Sequence, residues 1–141
     1  MATRSLLVFE PRHIEPALAL FRGCAGVGLS AGDTPPEVAG FLARNPGLSA
    51  VIETPAGGVV GAIMAGHDGR RGFLYHLAVH PDERRRGLGR ALVHHCLGAF
   101  RTAGISRVSI HIFEDNRRGA EFWDKLGWRV RADLSVLQYE L

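Results

Sequence analysis

The hexapeptide Arg84-Arg85-Arg86-Gly87-Leu88-Gly89 stands between the apolar run Phe73 to Val79 and the run Leu88 to Phe100, whose apolar positions repeat at helical spacing. A loop that leads from a strand into a helix points several backbone N–H groups at one spot. The positive end of the helix dipole lies behind them and guanidinium groups stand at the rim, so such a loop can hold a pyrophosphate. The spacing therefore points to an enzyme that uses a nucleotide cofactor. Two commoner nucleotide loops do not fit. A dinucleotide fold asks for GxGxxG after the first strand of a parallel sheet, with an acidic residue about 20 positions on. A P-loop asks for GK(S/T), which the chain lacks. Gly87 and Gly89 by themselves would equally ease a tight turn, and it is the arginines that favour phosphate.

The elements that must position this loop are legible in the apolar spacing. Leu6 to Glu10 reads as a strand stopped by Pro11, and Ile14 to Cys24 as a helix with Ile14, Leu18 and Phe21 on one face. Gly26 to Asp33 is a glycine-rich loop. Thr34-Pro35-Pro36-Glu37 opens a second helix running to Arg44, with Thr34 as its cap and proline where a missing N–H costs nothing. Leu48 to Glu53 and Val59 to Met64 flank a turn at Thr54 to Gly58, and Phe73 to Val79 continues an antiparallel meander. Leu88, Ala91, Leu92, Cys96, Ala99 and Phe100 trace one helical stripe that Gly104 ends. Arg107 to Phe113 alternates as a strand, so Phe73 to Phe113 is a strand, helix, strand unit with a parallel pair. Asn116 to Leu126 reads as a helix stopped by Gly127, and Trp128 to Arg131 and Leu134 to Leu141 as closing strands.

A chain of 141 residues is expected to form one domain, 1–141, and a domain of that length buries about two thirds of its unfolded surface. With 46% hydrophobic and 22% charged residues it is too apolar to be disordered. Cys24 and Cys96 sit among apolar neighbours, without CxxC spacing or paired histidines, and read as buried thiols in a reducing cytoplasm. His94 and His95 diverge by about 100° on their helix and cannot chelate one ion, so no metal site is expected. The run Gly57 to Gly66 is too short to span a bilayer and the first residues lack a signal pattern. No membrane partner and a cytoplasmic location are expected. The net charge of +3 concentrates in Arg84 to Arg86 and in Arg117 and Arg118, which suits a small polyanionic cofactor better than nucleic acid.

Leu77-Ala78-Val79-His80-Pro81 followed by RxxGxG at Arg84 to Gly89 resembles the acetyl-CoA-binding motif of the GCN5-related N-acetyltransferases, (Q/R)xxGx(G/A). Downstream, Asn116-Arg117-Arg118-Gly119-Ala120-Glu121-Phe122-Trp123-Asp124-Lys125-Leu126-Gly127-Trp128 is similar to the second motif of that family, NxxAxxxYxxxGF. The resemblance implies an α/β (α+β) fold: a mixed, mostly antiparallel sheet of six or seven strands, splayed in the middle, with four flanking helices and acetyl-CoA in the opening. It implies that the backbone from Leu77 through Ala78 to Val79 pairs with the pantetheine arm. The N–H groups of Arg85, Arg86, Gly87, Leu88, Gly89 and Arg90 would hold the pyrophosphate, with the side chains of Arg84, Arg85 and Arg86 near the 3′-phosphate. Asn116 would reach the pantetheine region, cap its own helix, or do both.

The activity implied is transfer of an acetyl group from acetyl-CoA to a primary amine by direct attack in a ternary complex. The alternative is a non-catalytic acyl-CoA sensor. Transfer requires a base for the ammonium, a donor for the tetrahedral oxyanion and a proton for the thiolate. His111, mid-strand and five residues before Asn116, is the candidate base; a cross-strand structural histidine is the equal alternative. The Val79 N–H is the candidate oxyanion donor, on the expectation that strand distortion there leaves it unpaired. Trp123 departs from the family tyrosine, and an indole cannot supply a proton near neutral pH. It would pack at the acetyl end or in the core, and Tyr75, Tyr139 or water would replace the acid. Tyr75 is expected to share a strand face with Phe73 and Leu77. His76, opposite to it, and His80 read as structural. The acceptor, a small or peptide amine, would be shaped by residues 21–45 and 132–139, and homodimer formation stays open.

Overall fold

The structure is a computed structural model that describes residues 3–141. It divides into two compact units, one ending at His111 and one beginning at Ile112. In the first, five strands form one sheet in chain order: β1 (Ser5–Val8), β2 (Ala50–Glu53), β3 (Val59–His67), β4 (Gly72–Val79) and β5 (Val108–Ile110). Neighbours are antiparallel except β4 and β5. That last pair is parallel because the helix α3 (Leu88–Thr102) carries the chain back between them.

Helices α1 (Ile14–Arg22) and α2 (Pro35–Arg44) cover one face of the sheet. Phe21, Leu18, Val38 and Leu42 pack there with Val51, Ala62, Met64 and Ala78. Each such side chain, fully buried, is worth about 1.5–3 kcal/mol, so this face is where most of the helices' stability arises. The opposite face meets α3, where Leu92 lies against Gly61 and Phe100 against Gly72. Cys24 and Cys96 are buried free thiols, as their apolar surroundings suggest. Burial pushes the Cys96 thiol up to about 12.

Thr34 has the extended backbone of a cap, but its side chain makes no capping bond. The prolines at the first two helical positions carry no N–H, so the hydroxyl has little to satisfy.

The sheet departs from the expected six or seven strands at its far side. β5 is three residues long, not seven, and it pairs with β4 only at Gly72, Phe73 and Leu74. Past Leu74 the two strands part, which is the expected splay. The stretches 128–131 and 134–141 form no strand. Alternation gives a segment two faces but no partner edge, and here Val130, Leu137 and Tyr139 remain exposed, so no burial rewards an extended conformation.

The register of β3 on β4 breaks once. Met64 faces His76 while Ala65 faces Leu74, which leaves Tyr75 as an extra residue in β4. Such a bulge shifts the faces of all that follows. Tyr75 and His76 therefore both lie on the α1 and α2 side, and Leu77 on the α3 side. The expected faces of His76 and Leu77 are thus corrected.

The second unit holds α4 (Arg117–Lys125). Asn116 caps it, its Oδ1 accepting from the Gly119 N–H at 2.9 Å. Gly127, at φ 88°, ends it. Trp123, 6% exposed, packs edge-on against Phe122 and Trp128.

Candidate active site

β4 ends at Val79, and the His80 N–H donates back to the Val60 carbonyl of β3 at 2.8 Å. Backbone groups alternate sides along a strand. The N–H and C=O of Leu77 and Val79 therefore point away from β3, along the edge that β5 has left, while those of Ala78 point toward β3. This contradicts the distortion expected at Val79: its register with Gly61 is regular and the bulge sits at Tyr75. Among the described residues no strand pairs with β4 there, because β5 is short.

The chain then turns through Pro81–Glu83 into the arginine loop. Arg85 takes φ 64° and Gly87 φ 77°, left-handed conformations that bend the chain sharply onto α3. Gly87 is the N-terminal cap residue of α3 and has no side chain to cap with, and the first turn carries no acid. The first N–H groups of the helix are thus left to a ligand or solvent. Nothing stands within 4 Å of where a Gly87 Cβ would be. The loop thus turns from the end of β4 into the start of a helix, as the spacing predicts.

The three arginines differ in their commitments. Arg84 folds inward, its Nε donating to the Val79 carbonyl at 3.1 Å. Arg86 Nη1 lies 3.4 Å from Glu83 Oε2. The buried Glu83 is in turn held by Arg4, through Nη2 at 2.6 Å and Nε at 3.1 Å. The Arg4 guanidinium holds this carboxyl below its ordinary value against the opposing effect of burial. Arg85 is exposed at the rim.

On the α1 and α2 side of β4 lies an aromatic layer. Phe73 stacks on Tyr75 at 5.9 Å and meets His111 edge-on at 5.7 Å, and Phe41 of α2 meets Tyr75 edge-on at 5.3 Å. His111 belongs to this layer but lies one residue past β5, exposed, instead of mid-strand. Burial, helped by the negative charge of Asp68, raises the Tyr75 phenol above its ordinary value, so it keeps its proton at neutral pH.

A further pair on this face was not legible in the sequence. His76 Nε2 lies 2.8 Å from Asp33 Oδ1, across 43 residues of chain. No local motif joins the two, and the bulge that turns His76 to this face cannot be seen in a pattern of alternation. Asn116 and Trp123, the remaining expected residues, lie in the second unit.

Among the described residues no helix is long and apolar enough to cross a membrane, and no group of three or more His, Cys, Asp or Glu side chains is placed to hold a metal ion.

The sequence model of the acetyltransferase (GNAT) family matches residues 16–128. An acetyltransferase of Photorhabdus laumondii is 32% identical over 130 residues, 92% of this chain and 90% of its own. AAC(6′)-Iy, solved in complex with the bisubstrate analogue CoA-S-monomethyl-acetylneamine, superposes with a TM-score of 0.78 over 99% of both chains at 15% identity. The ribosomal-protein-S18-alanine N-acetyltransferase of Escherichia coli does so at 0.71, over 89% of this chain and 77% of that one, at 17% identity. At such identities the two structures speak for the fold. The chain belongs to the GNAT family of acetyltransferases, and it is an acyltransferase.

Proposed function

We propose that residues 1–141 act as one N-acetyltransferase domain, moving the acetyl group of acetyl-CoA to a primary amine by direct attack in a ternary complex. The observation that carries this reading is the uncapped N-terminus of α3 behind Gly87, placed directly after a strand whose edge past Leu74 is open. Diphosphate would sit on the helix N–H groups, and the pantetheine arm would run along Leu77 and Val79 as an added strand. The Val79 N–H, on that open edge, would stabilise the oxyanion. An imidazole on the aromatic side would take the proton of the ammonium, His111 being the candidate that the motif spacing suggests. Tyr75 would supply the thiolate's proton in place of the tyrosine that Trp123 replaces.

The acceptor belongs to the class of primary amines. The structurally similar proteins span this class, with an aminoglycoside antibiotic 6′-N-acetyltransferase at one end and a ribosomal-protein-alanine N-acetyltransferase at the other. The test is thiol release from acetyl-CoA across a panel of small amines and peptide N-termini, with thermal shift in the presence of CoA to find acceptors that bind. Release with at least one amine is expected. CoA binding without release on any amine would favour a sensor and overturn the transfer step.

A further inference from the structure

His76, like His13 on Glu53, is an imidazole held by a carboxylate, but His13 has its second ring nitrogen taken by the Glu10 N–H. The His76 Nε2 meets Asp33 Oδ1 at 2.8 Å, with the two side chains only 12% and 11% exposed. Asp33 is itself fixed from behind, since its Oδ2 accepts from the Ser30 N–H at 2.8 Å and lies 3.4 Å from the Ser30 hydroxyl. The Asp33 N–H closes the turn on the Ser30 carbonyl at 3.0 Å. A carboxylate with both oxygens engaged as acceptors draws a hydrogen from the ring nitrogen it meets, so in the neutral ring Nε2 carries the hydrogen and the lone pair lies on Nδ1. Asp33 is the charged group on the ring, while Phe21 of α1, 5.2 Å away, and Met64, its partner in β3, are uncharged.

His76 also occupies the decisive place on β4. It directly follows the bulged Tyr75 and directly precedes Leu77, the first residue whose N–H and C=O face the open edge. A carboxylate that sets the tautomer of an imidazole, beside the position where an acyl group would lie, is the arrangement of a general base and its orienting partner. His111 meets one ring and is exposed, which leaves its orientation to solvent.

We infer that His76 is the base of the acetyl transfer and Asp33 the residue that positions it, an inference that rests on the transferase reading. The ammonium of the acceptor has three N–H protons and the amide product one. His76 Nδ1 takes the first, which frees the nitrogen lone pair to attack the thioester carbon. The C–N bond forms and the carbonyl π pair moves to oxygen. Collapse re-forms C=O and breaks C–S, with the electron pair leaving on sulfur. The thiolate takes its proton from the Tyr75 phenol, which recovers one from the new amide nitrogen, and the imidazolium returns its own to solvent.

The test takes an amine that wild type acetylates and compares His76→Gln and Asp33→Asn, with acetyl-CoA as donor. Asparagine would donate to Nε2, move the ring hydrogen to Nδ1 and remove the basic site while keeping the shape. Near neutral pH both variants are expected to lose about a hundredfold in kcat, the usual contribution of a positioned base, with the KM for acetyl-CoA unchanged. Their rates should then rise about tenfold per pH unit and converge on wild type as the amine loses its proton unaided. A merely structural pair would lower the rate equally at every pH, which overturns the inference, as would variants with the wild-type rate and profile. Wild type that releases no thiol with any amine overturns the transferase reading, and the base with it.

Discussion

On the proposed reading, Gly87 is required by a ligand and not by the fold. At φ 77° a side chain would be strained, by about 1–2 kcal/mol, yet nothing lies within 4 Å to collide with it. Gly87→Glu is therefore expected to melt within a few degrees of wild type while losing most of its affinity for CoA, because its carboxylate would occupy the anion's place on the helix N–H groups. Calorimetric titration with CoA checks this, and an undiminished affinity would move the diphosphate to another part of the molecule. The course of the loop was legible in advance because contiguous residues set it: three arginines, two glycines and the helix stripe that starts at Leu88. His76 was not. Its partner is 43 residues away, and its face is set by one extra residue in β4, so counting by twos from Phe73 assigned it to the wrong side.

At the scale of elements, β4 and α3 are locked by a contact that leaves no room for a methyl group. A Cβ on Gly72 would stand 2.8 Å from Phe100 Cε1, and Phe100 is itself fully buried. Gly72→Ala should cost about 1–3 kcal/mol through overpacking. Gly98, inside α3 with nothing within 4 Å of its Cβ position, should respond in the opposite sense, Gly98→Ala adding about 0.5–1 kcal/mol through helix propensity. Urea denaturation of the two variants beside wild type measures both, and a Gly72→Ala protein as stable as its parent would mean that Phe100 can swing aside. The same elements mark how far the sequence could be followed. Long periodic segments such as α1, α2 and α3 lie within two residues of where their spacing puts them. The two closing strands were misread because Leu134, Val136 and their neighbours carry the alternation of a strand, and alternation does not say whether a partner edge will meet it.

For the molecule as a whole, the Arg4, Glu83 and Arg86 ion pairs tie the N-terminal segment to the arginine loop. Chiefly through its hydrogen bonds from Arg4, Glu83 has a carboxyl held below the ordinary value in the folded state. The sign of its linkage follows: it adds stability above the usual carboxylate range, and that contribution is lost as pH falls through the depressed folded value. Glu83→Gln is accordingly expected to lower the melting temperature near neutral pH and to draw level with wild type in acid. Thermal melts from neutral pH downward test this, and a constant gap at every pH would show that Glu83 acts by shape alone. The parting of β4 from β5 after Leu74 carries a last consequence. Peptide groups that no neighbouring strand pairs, such as those of Leu77, adhere to any extended chain, including another copy of the same protein. On the proposed reading, the thioester that this groove evolved to receive also serves as a shield, and protein stripped of it during purification should be the most inclined to clump.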